Sequence, residues 1–243
     1  RACIQAAYDP HLIENARSEG RRTRMGSLEL RSVGKAYGRK RVLQDVSLTF
    51  EPGLALLVGP SGAGKSTLLR LIASAERPNS GAILWNGRAA KSALRKTLGY
   101  APQAVDLPED LTAREFAMHI AALKGLSLAQ ADKQFGAITD EIGLHADINN
   151  RIASFSGGMR RRLIFAQALL GEPEVLALDE PTAELDGETA RKLGALIVER
   201  SKSAIVVMTT HLADELAPSA RAVLRVENGA VLHAPSAQLE DVA

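Results

Sequence analysis

The chain has 243 residues, 46% of them hydrophobic, which is enough to bury a sizeable core in one or two domains. Its longest apolar runs, 54–58 and 204–208, have the length of buried strands and fall far short of the ~18 residues a membrane-spanning helix needs. The formal net charge of +2 resides in residues 1–24, five arginines against three acids, so the rest is neutral and a nucleic-acid partner is not expected. Cys3 is the only cysteine, which rules out an internal disulfide and favours a reducing compartment.

Residues 1–24 show no aligned apolar period and end in RRTR. They have no continuous apolar core of a secretory signal, and read as a disordered or appended leader, with a short amphipathic helix over 11–19 as the alternative. Met25 is a candidate start. Leu28 to Val33 alternates as a half-buried strand does, Tyr37 follows in a turn, and Val42 to Phe50 reads as a second strand. Glu51-Pro52-Gly53 turns the chain into a buried strand, LALLV, and a helix is expected over 65–75. Pro78 to Gly81 breaks that helix, and Asn86-Gly87 signals a hairpin, so an antiparallel layer should stand beside the core. Residues 97–103 read as a short strand ending at Gln103. From Thr112 to about Ile148 the pattern is helical, with Phe116, Ile120 and Leu123 on one face. A further helix opens at Ser154–Met159 and stops at Gly171 and Pro173. Buried strands are expected at 175–178 and 204–210, a helix over about 187–199, and a closing hairpin at Glu227-Asn228-Gly229.

Two stretches carry chemistry. Leu54–Thr67, LALLVGPSGAGKST, is a strand, a glycine-rich loop and a helix start, and matches G-x-x-x-x-G-K-[ST] as Gly59, Gly64, Lys65 and Ser66. Glycines let backbone N–H groups surround phosphate oxygens, and the helix points its free N–H groups and positive dipole end at the same anion. Lys65 can then reach the β- and γ-phosphates while the Ser66 hydroxyl takes a place on Mg²⁺. The second stretch is VLALDE, which ends a buried strand with Asp179, suited to hold Mg²⁺, and Glu180, suited to accept a proton from water.

Tyr37, GPSGAGKST, Gln103, FSGGM, VLALDE, AELD and His211 follow one another in the order and spacing of an ATP-binding cassette (ABC) ATPase, and the resemblance covers nearly all of residues 27–233. It implies an α/β fold: a P-loop NTPase (RecA-like) core with an antiparallel β layer and an inserted α-helical subdomain over about 104–170, within an ATPase domain spanning 25–243. ATP and Mg²⁺ are the implied cofactors. Tyr37 would stack on adenine, and Gly59, Pro60, Ser61, Gly62, Ala63, Gly64, Lys65, Ser66 and Thr67 would hold the phosphates. Ser66, Gln103 and Asp179 would hold the metal, and Glu180, His211, Gln103 and Lys65 would carry hydrolysis. Ser156, Gly157 and Gly158 would close over the ATP of a second subunit in a head-to-tail homodimer or heterodimer, with Asp186 at the contact. Independently of the family, SGG opens a helix and so makes a second anion site. Arg160, Arg161 and Arg162 behind it either add positive potential there or form a solvated face.

The sequence departs from the family pattern twice: Met159 stands where glutamine is usual, and Glu184 where a small residue is usual. SGGMRRRL is similar to ATPase subunits of drug- and polysaccharide-efflux exporters. The expected function is therefore an ATPase that powers a separate integral-membrane permease from the cytoplasmic face, more readily an exporter than an importer. The alternative is a non-transport ABC-type ATPase acting on a ribosome, DNA or an assembly complex. Such members often carry two cassettes, a coiled-coil insertion or a basic tail, none of which this sequence shows.

Overall fold

The computed structural model describes residues 26–89 and 91–234, with the side chain of Lys91 left aside. The leader expected over 1–24, its alternative helix and the start at Met25 lie outside the described residues.

Two sheets share the molecule. Strands β1 (Leu28–Tyr37), β2 (Lys40–Phe50) and β4 (Ser80–Trp85) form an antiparallel sheet in the order β2-β1-β4. The other has the order β5-β6-β7-β3-β8-β9, from β3 (Gly53–Val58), β5 (Leu98–Ala101), β6 (Val175–Asp179), β7 (Ile205–Thr209), β8 (Ala222–Glu227) and β9 (Ala230–His233). It is parallel throughout except for the closing β8–β9 pair.

The unbroken apolar runs of β3, β6 and β7 follow from coverage on both faces, the condition under which parallel strands lose their alternation. Leu54, Leu56, Leu176, Leu178, Val206 and Met208 face a core built with helices α3 (Ala113–Leu123), α4 (Leu128–Glu141), α5 (Gly157–Leu169) and α6 (Gly187–Ser201). Ala55, Leu57, Val175, Ala177, Ile205 and Val207 face a second core with the antiparallel sheet and α1 (Lys65–Ile72).

Three local expectations are corrected. The first hairpin runs on to Tyr37 and Lys40, so Tyr37 ends a strand and the turn is Gly38-Arg39. Asn86-Gly87 does make a tight turn with both residues at positive φ, but only Trp85 and Arg88 pair across it, and the chain goes on into α2 (Lys91–Lys96). A turn signal fixes the reversal, whereas the Ala/Lys/Leu-rich segment that follows favours helix over a return strand. Third, α3 buries Ala113, Ala117 and Ala121, while Phe116 and Ile120 are half-buried and Leu123 is 85% exposed. Small residues four apart allow close helix approach, and the large side chains lie about 100° round the axis. Thr112 and Glu115 form a capping box that fixes the start of α3.

Lys124, after α3, donates to the carbonyls of Leu170 (2.7 Å) and Ala168 (3.4 Å) at the end of α5. Burial pushes its ammonium down from 10.5 to about 8. The folded state therefore binds fewer protons than the unfolded chain between those values, and stability contributed at this site rises with pH across the window. Relative to Lys124→Met, the wild type should gain on the order of 1–3 kcal/mol from about pH 8 to about pH 10.5. Urea unfolding of both proteins over that range measures it.

Candidate active site

The carboxyl ends of the central strands stand level: Leu57 pairs with Thr209, Asp179 with Thr209, and Ala101 with Leu178. A cleft of about 1110 Å³ opens there, lined among others by Tyr37, Gly59 to Gly62, Gly64 to Thr67, Gln103, Asp179, Glu180 and His211. Open α/β sheets bind ligands at this edge.

The loop after β3 needs glycine in two places. Gly59 has φ 133°, and a Cβ there would stand 2.3 Å from the Val226 carbonyl oxygen; Gly64 has φ 113° with Val42 at 2.9 Å. The first turn of α1 has no side-chain cap and no acid, which leaves its positive end for an anion. Lys65 Nζ donates to the carbonyls of Gly59 (2.5 Å) and Pro60 (3.0 Å), so the ammonium lies against the loop. Ala63 does not line the cleft but packs on the second core.

Opposite stand the two carboxylates. Asp179 is buried, and its Oδ1 accepts from the Thr209 hydroxyl at 2.7 Å. Glu180 has φ 51°, a left-handed conformation that costs roughly 1–2 kcal/mol outside glycine. It is held there by its own N–H, which donates to Thr209 Oγ1 (2.9 Å) and to the Thr209 carbonyl (3.2 Å). Burial raises the Glu180 carboxyl above the ordinary value, and the charge of Asp179 adds to this, against His211 and Lys65. A carboxylate raised in this way is a stronger base. Its Oε2 lies 3.6 Å from Nε2 of the exposed His211 and is buried without a hydrogen-bond partner.

These residues fit ATP with Mg²⁺. The loop, α1 and Lys65 offer donors and positive charge at one wall, and Asp179 with the unpartnered Glu180 oxygen offers acceptors at the other. Gln103 is exposed and lines the same cleft.

The Tyr37 ring is fixed by contacts its sequence position did not foretell. Its hydroxyl donates to Glu76 (2.6 Å) and lies 3.4 Å from Arg70, and the Lys35 ammonium is 5.1 Å from the ring centroid. Ser156, Gly157 and Gly158 are not brought into this cleft. Ser156 caps α5 by accepting from the Met159 N–H at 3.3 Å, and that helix likewise carries no acid in its first turn. Met159 packs against the first core, which accounts for a thioether where a glutamine amide is usual.

The arginine triplet forms no solvated face. Arg160 pairs with Glu109, Arg162 donates to the carbonyls of Ile142 and Gly143, and Arg161 is buried. Successive helical residues point 100° apart, so each arginine ties α5 to a different segment.

Residues 43–183 match the ABC transporter family. The Nod factor export ATP-binding protein I of Rhizobium etli is 32% identical over 212 residues, covering 84% of this chain and 66% of that protein. The linearmycin resistance ATP-binding protein LnrL of Bacillus subtilis is 31% identical, covering 78% and 62%. Among solved structures, a dimeric post-hydrolysis state of the ATP-binding cassette MJ0796 bound to ADP and Pi superposes with a TM-score of 0.74 and 25% identity, covering 84% of this chain and 96% of that one. The fold and site thus define an ATP-binding cassette. The chain belongs to the ABC transporter family, whose cassettes bind and hydrolyse ATP. It spans about two thirds of the length of these curated relatives.

Thr209 is the site residue that sequence reasoning missed. It stands in a plain MTTH run, and only the strand register sets its hydroxyl between Asp179 and Glu180. Thr209→Ser should hold ATPase turnover within about threefold, and the isosteric Thr209→Val should lower it roughly tenfold or more. Steady-state phosphate release, with melting temperatures alongside, measures this.

Proposed function

We propose that this chain is the ATP-hydrolysing subunit of a transporter, more readily an exporter, working as a dimer of cassettes on a separate integral-membrane permease. The observation that carries the hydrolytic reading is the convergence of Lys65, Asp179, Glu180, Gln103 and His211 on one cleft at the strand ends. In this reading Tyr37 stacks on the adenine, and the loop N–H groups, α1 and Lys65 hold the phosphates. Ser66, Asp179 and Gln103 hold Mg²⁺, which when bound neutralises charge on the β- and γ-phosphates. Glu180 takes a proton from the attacking water, and His211 keeps Glu180 in line. Positioning and charge stabilisation supply most of the rate.

The dimer follows from what the cleft does not contain. The N-terminus of α5 at Ser156–Gly158 offers a second anion site on the same chain and does not line this cleft, so one ATP would meet both sites between two subunits. The dimeric cassette among the structural relatives supports this arrangement. Transport is supported by the export and resistance proteins among the curated relatives. No helix among the described residues is long and apolar enough to cross a membrane. The separate permease is suggested by relatives that are themselves named as ATP-binding proteins, and the helical region over 104–170 is assigned to transmitting motion to it.

Glu180→Gln should bind ATP without turning it over and run as a dimer in light scattering at saturating ATP; a purely monomeric variant would count against a dimer that closes over ATP. Lys65→Ala should lose nucleotide binding or turnover, and unchanged ATPase activity would sink the phosphate-loop assignment. Affinity purification from detergent-solubilised membranes should bring down a multi-helix membrane protein with the wild-type chain.

A further inference from the structure

Arg161 lies in the second turn of α5, yet it is only 7% exposed. A buried guanidinium must be hydrogen-bonded and paired, or its desolvation goes uncompensated. Its partners come from two other segments. Nη1 donates to the carbonyl oxygens of Gln103 and, at 3.4 Å, Pro102, and Nη2 lies 3.4 Å from Glu184 Oε1. Glu184 adopts φ 63°, a conformation that glycine takes without strain, and its other carboxylate oxygen stands 2.8 Å from where a Cβ on Gly157 would be.

One side chain thus joins the helix that begins at Ser156–Gly158, the backbone of Gln103 at the edge of the cleft, and the loop that follows Glu180. Holding the carbonyl of Gln103 fixes its Cα while its amide stays free to face the cleft. We propose that Arg161, with Glu184 as its counter-ion, is a positioning residue that sets the place of Gln103 according to the pose of α5. The anion site at the start of α5 and the glutamine in the chain's own nucleotide cleft then move as one body. The inference rests on Gln103 serving hydrolysis, as proposed above.

A double-mutant cycle tests it. Gln103→Ala keeps the backbone carbonyl that Arg161 holds but removes the amide being positioned. Arg161→Met should lower kcat about ten- to a hundred-fold in the wild-type background, with the KM for ATP changed by no more than about threefold. In the Gln103→Ala background the same substitution should change kcat by less than about twofold. Limited proteolysis without nucleotide should cut faster over residues 103–107 in Arg161→Met while the central strands stay protected from amide hydrogen exchange.

Equal losses in both backgrounds, or cleavage over 103–107 like that of the wild type, would overturn the proposal. If Arg161→Met does not fold, Arg161→Lys serves in its place. Its single ammonium cannot reproduce the fork that reaches both the Gln103 carbonyl and Glu184, so the same non-additive pattern is expected. If Gln103→Ala alone leaves turnover unchanged, the hydrolytic role of Gln103 fails instead, whatever Arg161 does.

Discussion

The site depends on the register of the parallel strands. Leu57 near the end of β3 and Asp179 at the end of β6 stand level with Thr209 at the end of β7, because β3 and β6 both pair directly with β7. Were β6 to slip by one residue, its side chains would exchange faces, placing Leu176 and Leu178 in the core that now holds Val175 and Ala177. Burial on both faces therefore locks the register. The same lock aligns the phosphate loop, the two carboxylates and the segment leading to His211. Core packing and catalytic geometry are one constraint here.

Within that frame the site keeps opposite charges close without neutralising them in place. Lys65 is held against loop carbonyls, Asp179 is committed through Oδ1 to Thr209, and Glu180 retains a buried oxygen with no hydrogen bond. Each group is held in place and left with capacity for a further partner. The left-handed Glu180 and its raised carboxyl are costs of that arrangement, tolerated because the Glu180 N–H donates to two oxygens of Thr209 and so fixes the backbone there.

Residues that act through a contiguous pattern were legible in the sequence. The glycine loop, the acidic end of β6 and the histidine after β7 each follow a buried strand, and a strand's end fixes where its next residues go. The closing hairpin was legible for the same reason, since Asn228 and Gly229 both take the positive φ their types favour. Features that arise between segments were not legible. Thr209 is marked only by pairing across to Asp179, and Arg161 by a carbonyl 58 residues away. The alanine face of α3 was hidden by the larger Phe116, Ile120 and Leu123, because hydrophobicity measures a preference for burial but not how close two backbones come.

The two departures from the family pattern belong to one structural neighbourhood. Met159 turns its side chain to the core, and Glu184 supplies the charge that a buried Arg161 requires. A glycine at 184 would relieve the backbone conformation but leave the guanidinium with only neutral carbonyl partners. Glu184 is 64% exposed and 3.4 Å from the guanidinium, so solvent screens the pair to about 1 kcal/mol, comparable with the roughly 1–2 kcal/mol that a left-handed non-glycine residue costs. The two magnitudes nearly cancel, so glutamate at 184 gives the guanidinium a charge partner at little net change in stability. The Glu184 carboxylate is then held beside Gly157, at the start of α5.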